Sequence, residues 1–231
     1  MKKVAIGITL VLVIILITFL YSTRPVSAPT QSVESVAEKL PVATPDTQSV
    51  SASTGETFYR ISPLQSQVEF SIGEILNGSP FTAVGKTSEV AGDVSVSKKA
   101  ITVGKVAVNA KTFKTDSSNR DGAIARFILK SDQPANEFIT FTPAQPIALA
   151  SPLVEGKEIS ATVSGTLTIS GITKPATFTV RIKMQNKGLV VTGDTTVKRS
   201  DFGLQIPDLS FIASVDDLVK VSISATADLV K

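Results

Sequence analysis

The chain has 231 residues, of which 42% are hydrophobic, and a formal net charge of +3 at pH 7. This length accommodates one domain with additional segments, and the small charge without a dense basic patch excludes the footprint of a nucleic-acid-binding protein. The sequence has no cysteine and no histidine, which excludes disulfides, thiolate zinc sites and the usual acid–base group at neutral pH.

The first predicted element is a membrane-spanning helix at residues 1–21. Residues 4–21 carry no charge, and as a helix at 1.5 Å per residue they span about 27 Å, close to the hydrocarbon thickness of a bilayer. Two lysines precede this run and one arginine follows soon after it, which favours a cytoplasmic N-terminus. We predict an uncleaved, single-pass anchor in a bacterial cell membrane with the rest of the chain extracytoplasmic. The alternative is a signal peptide cleaved after the VSA of residues 26–28, which releases a secreted or periplasmic protein.

Residues 22–55 are predicted to be a disordered linker. The segment is rich in Ser, Thr and Pro and has no aromatic residue. Such a composition cannot bury enough apolar surface to offset the entropy of ordering the chain. A helical turn is conceivable only at residues 33–40, and we expect the whole segment to act as a flexible spacer.

Residues 56–231 are predicted to form one all-β domain. Apolar and polar residues alternate over residues 159–169, 178–184 and 219–227, a pattern typical of strands with one buried face. Short turn sequences rich in Gly and Asn separate the alternating runs. Residues 177–195 therefore predict an antiparallel hairpin.

One segment of this domain departs from alternation. Within residues 119–130, Ile124, Phe127 and Ile128 are spaced by three and four residues, and Asp121 lies near the start, which indicates a short helix. Many antiparallel strands with one or two short helices are typical of a closed barrel or a sandwich. An eight-stranded barrel is wide enough to be filled by side chains or to hold one slim ligand.

Five motifs resemble a known family. They are GTLTISGITKP at 165–175, AKTFKT with NRD at 110–121, the strand ending FITF at 131–141, RSDFGL at 199–204 and VDDLV at 215–219. In this order they resemble the YceI-like family over residues 57–230. Residues 62–66 lack the histidine that this family often has there, so the chain is similar to a divergent, membrane-anchored member. The resemblance implies an antiparallel, eight-stranded, lipocalin-like barrel that binds polyisoprenoid lipid.

Eight apolar side chains are predicted to point into the barrel. In a filled barrel they form a core, and in a hollow barrel they line a tunnel for an isoprenoid or acyl chain; the sequence permits both. The candidate ligand-binding residues are Phe70, Ile72, Phe113, Phe127, Phe141, Leu167, Phe178 and Val180.

The absence of histidine weighs against an enzyme, since a serine nucleophile needs a base. We therefore predict no catalytic residue, no metal site and no cofactor. The resemblance implies a module that sequesters or carries an isoprenoid or other amphiphilic lipid. The predicted N-terminal helix would tether it to a membrane, and the absence of a basic patch predicts no nucleic-acid partner. The alternative is a filled barrel that serves as a surface structural or interaction domain without a ligand.

Overall fold

The computed structural model describes residues 26–37, 55–207 and 212–230, and its main feature is one antiparallel β-sheet. Fourteen strands of the described residues belong to this sheet. They are β1 (Thr57–Ile61), β2 (Gln67–Leu76), β3 (Ser79–Thr87), β4 (Val90–Ala91), β5 (Asp93–Val96), β6 (Ala100–Val103), β7 (Val106–Asn109), β8 (Phe138–Pro143), β9 (Ile147–Ala148), β10 (Glu158–Ile169), β11 (Ile172–Gln185), β12 (Gly188–Lys198), β13 (Ile212–Val215) and β14 (Leu218–Leu229).

Short helices lie between the strands. Two are α-helical, α1 (Val33–Val36) and α2 (Ser118–Ala123), and α2 continues into a π-helical turn, Ile124–Ile128. Four 3-10 turns complete the described elements: Pro63–Gln65, Ala110–Thr112, Pro134–Asn136 and Arg199–Phe202.

The sheet curls until β4 and β5, which only Gly92 separates, connect its two sides by pairing with β7 and β1. From β7 the antiparallel pairings run through β8, β10, β11, β12 and β14. β14 then pairs with both β1 and β2, and β2 pairs with β3. The chain after β3 continues into β4, which pairs with β7. The strands therefore surround an interior space.

The predicted all-β antiparallel fold with a few short helices is confirmed. The predicted hairpin is formed by β11 and β12, and its turn residues Asn186 and Lys187 have φ values of 54° and 65°, as expected for a type I′ turn. The structure divides the sheet into fourteen strands, so the predicted count of eight is not reproduced. Interruptions such as Gly92, between β4 and β5, split longer runs of extended chain.

Residues 26–37, the N-terminal strap, lie against the outside of the sheet. Val33 of α1 is fully buried on Ala91 and Ala107. Thr30 donates from its N–H and Oγ to the carboxylate of Glu137 at 2.7 and 2.6 Å. One apolar side chain and two hydrogen bonds therefore fasten this part of residues 22–55 to the domain.

The other predicted N-terminal features lie outside the described residues. These are the anchor at residues 1–21 and the linker at residues 22–25 and 38–54. Within the part of the chain that the structure describes, no helix has the length and apolar character needed to span a membrane.

A buried ion pair lies under the strap. Lys111 Nζ is 3.1 Å from Glu137 Oε2, and the two side chains are 2% and 0% exposed. Lys111 also donates to the carbonyl of Ala28 at 3.3 Å. Burial raises the pKa of Glu137, but hydrogen bonds from Thr30 and Lys111 and the lysine charge outweigh it and hold this pKa below its usual value. The strap therefore supplies further hydrogen bonds to both members of this ion pair.

We expect Glu137→Gln to lower the free energy of unfolding by about 3–5 kcal/mol at neutral pH, because Lys111 stays buried without a countercharge. The folded pKa of Glu137 is lowered, so its contribution is fully present above the unfolded pKa, near about 4.3. The contribution is lost as the pH falls through the folded value. The difference in the free energy of unfolding between wild type and variant, measured by urea unfolding, should therefore become smaller in acid.

The control is Glu34→Gln, which changes a partly exposed carboxylate of the same strap. We expect a change within about 0.5 kcal/mol for it. If the loss in free energy of unfolding caused by Glu137→Gln did not vary with pH, the stabilisation could not be assigned to an ionised Glu137.

Gly165, in the motif GTLTISGITKP, lies where β8 and β10 approach each other. A Cβ atom at this position would overlap the carbonyl oxygen of Thr142 and lie 2.9 Å from Pro143 Cα. The two backbone segments therefore approach closely at this glycine.

We expect Gly165→Ala to lower the free energy of unfolding by about 1–3 kcal/mol, since two backbone segments must move apart to admit the methyl group. Urea unfolding measures this loss. Ser164→Ala changes the neighbouring exposed residue and should stay within about 0.5 kcal/mol. Equal losses in the two variants would show that the strands tolerate a side chain at residue 165.

Candidate functional site

The interior of the curled sheet contains a cavity of about 1010 Å³. This lies at the upper end of the range of roughly 300–1,000 Å³ found for small-molecule sites. Five inward residues of β14 follow one another along its wall: Val219, Val221, Ile223, Ala225 and Ala227. At about 3.3 Å per residue, this row extends for about 26 Å along the strand. The cavity is therefore a deep tunnel.

All eight side chains named from the sequence lie on the wall of this cavity. β2 contributes Phe70 and Ile72, β8 contributes Phe141, β10 contributes Leu167, and β11 contributes Phe178 and Val180, while Phe113 follows a 3-10 turn and Phe127 lies in the π-helical turn. The sequence is compatible with both a filled and a hollow barrel, and the structure is hollow.

Two pairs of aromatic rings shape the wall. Phe70 meets Phe113 edge to face, with ring centroids 5.3 Å apart, and Phe141 meets Phe178 in the same way at 4.8 Å. Phe70 fits because its cross-strand partner is Gly85, where a Cβ atom would overlap the ring. Such edge-to-face contacts favour fixed ring positions.

The two ends of the tunnel differ. At one end Ile101, Leu189 and Ala227 are 1%, 0% and 1% exposed, and we call this the closed end. At the other end Phe127 lines the cavity and is 41% exposed. We call this the open end, because the cavity is accessible from solvent there.

Polar side chains gather at the open end. Arg120 of α2 lines the cavity, lies 3.2 Å from Glu74 Oε1 and also pairs with Asp116. Its guanidinium carbon is 5.0 Å from the centroid of the Phe81 ring. Asn119 lines the cavity next to it. The tunnel thus combines an apolar interior with a polar entrance.

Arg120 and Asp121 of the NRD motif both form ion pairs, Arg120 with Glu74 and Asp116 and Asp121 with Lys114. Asp121 also accepts hydrogen bonds from the N–H and Oγ of Thr115 at 2.7 and 2.8 Å. Asp121 thereby fastens the chain that leads into α2. This contact holds Arg120 in place at the entrance.

A second polar contact joins two of the sequence motifs at the rim. Arg199 donates to the carbonyls of Leu204 and Asp216, both at 3.0 Å. Ser200 donates from its N–H and Oγ to Asp217 at 2.9 and 2.7 Å, and these hydrogen bonds lower the pKa of Asp217. The turn after β12 is therefore fixed to the chain that joins β13 and β14.

Sequence reasoning missed the part of the wall that β12 and β14 supply. The missed residues include Leu189, Val191, Val197 and the five inward residues of β14. Their signal was present, because residues 219–227 alternate clearly, but the alternation was used only to predict a strand.

Comparison with known proteins gives a match over most of the chain. The profile of the YceI-like domain matches residues 59–227. No curated protein sequence matches. A polyisoprenoid binding domain from Saccharophagus degradans, implicated in plant cell wall breakdown, is 14% identical, with a TM-score of 0.61 over 74% of this chain and 98% of that chain. BcnA of Burkholderia cenocepacia is 18% identical, with a TM-score of 0.54 over 72% and 98% of the two chains. At these identities the likeness concerns the fold.

We expect substitution of the two carboxylate partners of Arg120 to lower the free energy of unfolding by different amounts. The side chain of Glu74 is 6% exposed and that of Asp116 is 62% exposed. We expect Glu74→Gln to lower the free energy of unfolding by about 1–3 kcal/mol, as for buried bonds to charged groups, and Asp116→Asn by about 0–1 kcal/mol. Urea unfolding of both variants measures the difference, and a larger loss for Asp116→Asn would contradict this ranking.

Proposed function

Because the chain belongs to the YceI-like domain family, we propose that its cavity binds one amphiphilic lipid, an isoprenoid such as a prenol or quinone. The observation that carries this proposal is the deep cavity of about 1010 Å³ with its apolar wall. The apolar tail lies along the tunnel towards Leu189. The head group lies at the open end, beside Arg120 and Asn119.

The physical basis of binding is the transfer of a long apolar chain from water. Each buried methylene contributes about 0.8 kcal/mol, so ten of them contribute about 8 kcal/mol, the size of a micromolar affinity. No specific polar contact along the tail is needed for this. Selectivity then comes from the width and length of the tunnel and from the polar groups at its entrance.

The solved relative described as a polyisoprenoid binding domain shares the fold of this chain and supports the same ligand class. We propose that the fourteen strands act as one lipocalin-like barrel of eight longer runs, in which breaks such as that at Gly92 mark kinks. A barrel of this size leaves room for one small ligand.

The proposed setting is the extracytoplasmic face of a bacterial membrane. Residues 4–21 form an uncharged run long enough to cross a bilayer, and they precede the strap by four residues. A protein held there stays beside the bilayer in which prenols and quinones dissolve. It would sequester or carry such a lipid, without a catalytic step and without a nucleic-acid partner.

The alternative function, a filled barrel that only presents a surface, finds less support. A filled barrel needs side chains that occupy its interior, whereas the inward residues at positions 225 and 227 of β14 are alanines and border the cavity. The space that they leave favours the binding of a ligand.

Native mass spectrometry with organic extraction tests lipid binding on residues 26–231, which retain the strap. The protein is expressed in a host that makes prenols and quinones. We expect about one isoprenoid or acyl species per chain, as one deep tunnel allows. A lipid-free mass that did not change after incubation with prenols, quinones and fatty acids would overturn the proposal.

Ala225→Phe tests the place of binding. Ala225 lies on the cavity wall and is 4% exposed, so a phenyl ring there enters the tunnel and takes the space of the tail. We expect the amount of extracted lipid per chain to fall strongly. The matched control is Ser224→Phe on the exposed outer face of the same strand, which should keep the wild-type amount; equal retention by both variants would place the lipid elsewhere.

A further inference from the structure

We propose that the open end of the cavity docks on a lipid bilayer and that the N-terminal strap sets this orientation. This inference rests on the proposed function and adds the route of the ligand, which passes between bilayer and cavity. Three observations carry it: the position of exposed apolar residues, the direction of the strap, and the length of chain before the strap.

Exposed apolar side chains surround the open end. Phe127 is 41% exposed and Ile172 is 38% exposed. Their segments are joined there, since Ser170 Oγ donates to the carbonyl of Leu129 at 2.7 Å. Leu218, 57% exposed, pairs with Lys198 at the end of β12, beside the fastened rim turn. Exposed apolar groups around an opening mark a surface for a protein or a membrane.

The direction of the strap follows from its contacts. Val33 lies on Ala107 in β7, whereas the carbonyl of Ala28 meets Lys111, which follows β7. The chain beyond Lys111 continues to α2 at the open end. The strap therefore begins on the side of the open end and runs from there towards the middle of the sheet.

A second contact places the start of the strap at the same rim. Thr30 bonds to Glu137, and the preceding residue Asn136 has its Oδ1 3.8 Å from the position of a Cβ atom on Gly171. Gly171 lies in the turn between β10 and β11, next to Ile172. The strap thus begins beside the exposed apolar residues.

The remaining chain is too short to let the open end face away from the membrane. Residues 22–25 separate the strap from the uncharged run at residues 4–21. Four extended residues reach at most about 14 Å, whereas β11 alone extends for about 43 Å along its thirteen residue steps at about 3.3 Å each. Among the possible partners of this surface, a bilayer is therefore favoured over a soluble protein. An apolar tail then passes between bilayer and tunnel without crossing water.

The absence of cysteine permits a clean test on the full chain in phosphatidylcholine vesicles. Single cysteines at Ile172 or Leu218 carry a fluorophore at the open end. Matched controls are Leu64 and Val154, which are 98% and 58% exposed and lie far from it. These four side chains are not part of the cavity wall. Brominated lipid in the vesicles quenches only labels that contact the bilayer.

We expect strong quenching at Ile172 and Leu218 and none at Leu64 and Val154. Flotation of the vesicles in a density gradient shows whether the protein is bound to them. If bound protein showed equal quenching at the two pairs of labels, or stronger quenching at Leu64 and Val154, the proposed orientation would be overturned while lipid binding stayed intact. Protein that does not float with the vesicles would overturn the tether and the docking together. The lipid content measured by extraction is independent of both results.

Val33→Asp tests the strap, since it places a charge in the fully buried contact with Ala91 and Ala107. We expect flotation to be unchanged and quenching at Ile172 and Leu218 to fall to the level of the controls. Ser35→Asp places the same charge on an exposed residue of the strap and should keep the wild-type pattern. Full quenching in Val33→Asp would show that the strap does not orient the barrel.

Discussion

The structure depends on one geometric constraint, the period of two along strands that are paired into a curled sheet. Each strand turns every second side chain inward. The segment β4–β5 connects the two sides of the sheet, since β4 pairs with β7 and β5 pairs with β1. The inward residues are apolar, yet they leave a cavity of about 1010 Å³ between them. Atoms on the wall of such a cavity lack contact partners on one side. A bound apolar chain supplies those partners, so ligand binding and stability are linked in this fold.

The charged side chains lie at the open end of the tunnel and on the outer side of the sheet. Arg120 and Arg199 hold the segments at the open end of the tunnel, and the ion pair of Lys111 and Glu137 lies on the outer side of the sheet under the strap. None of these charges projects into the deep apolar part of the tunnel. The interior wall is therefore apolar, while charged groups fix the entrance and the attachment of the N-terminal segment.

The sequence predicted the features that depend on neighbouring residues. Alternation revealed the strands and their inward faces, so Phe178 and Val180 were placed on the cavity wall. Features that depend on distant residues had no local signal. The composition of residues 22–55 is that of a linker, and nothing near Thr30 indicates that it bonds to Glu137, 107 residues away. Hollowness is likewise a property of the whole ring, since the same alternating strands can enclose a filled core.

The pairing of β14 with β1 has a consequence for the folding of the protein. Tyr59 pairs with Leu229, so these two strands can pair only after the chain has been synthesised as far as residue 229. Contacts between such distant residues form slowly. Until then the apolar faces of the earlier strands remain exposed to other chains, a state prone to aggregation. The protein is therefore most prone to aggregation in the interval before β14 pairs with β1, β2 and β12.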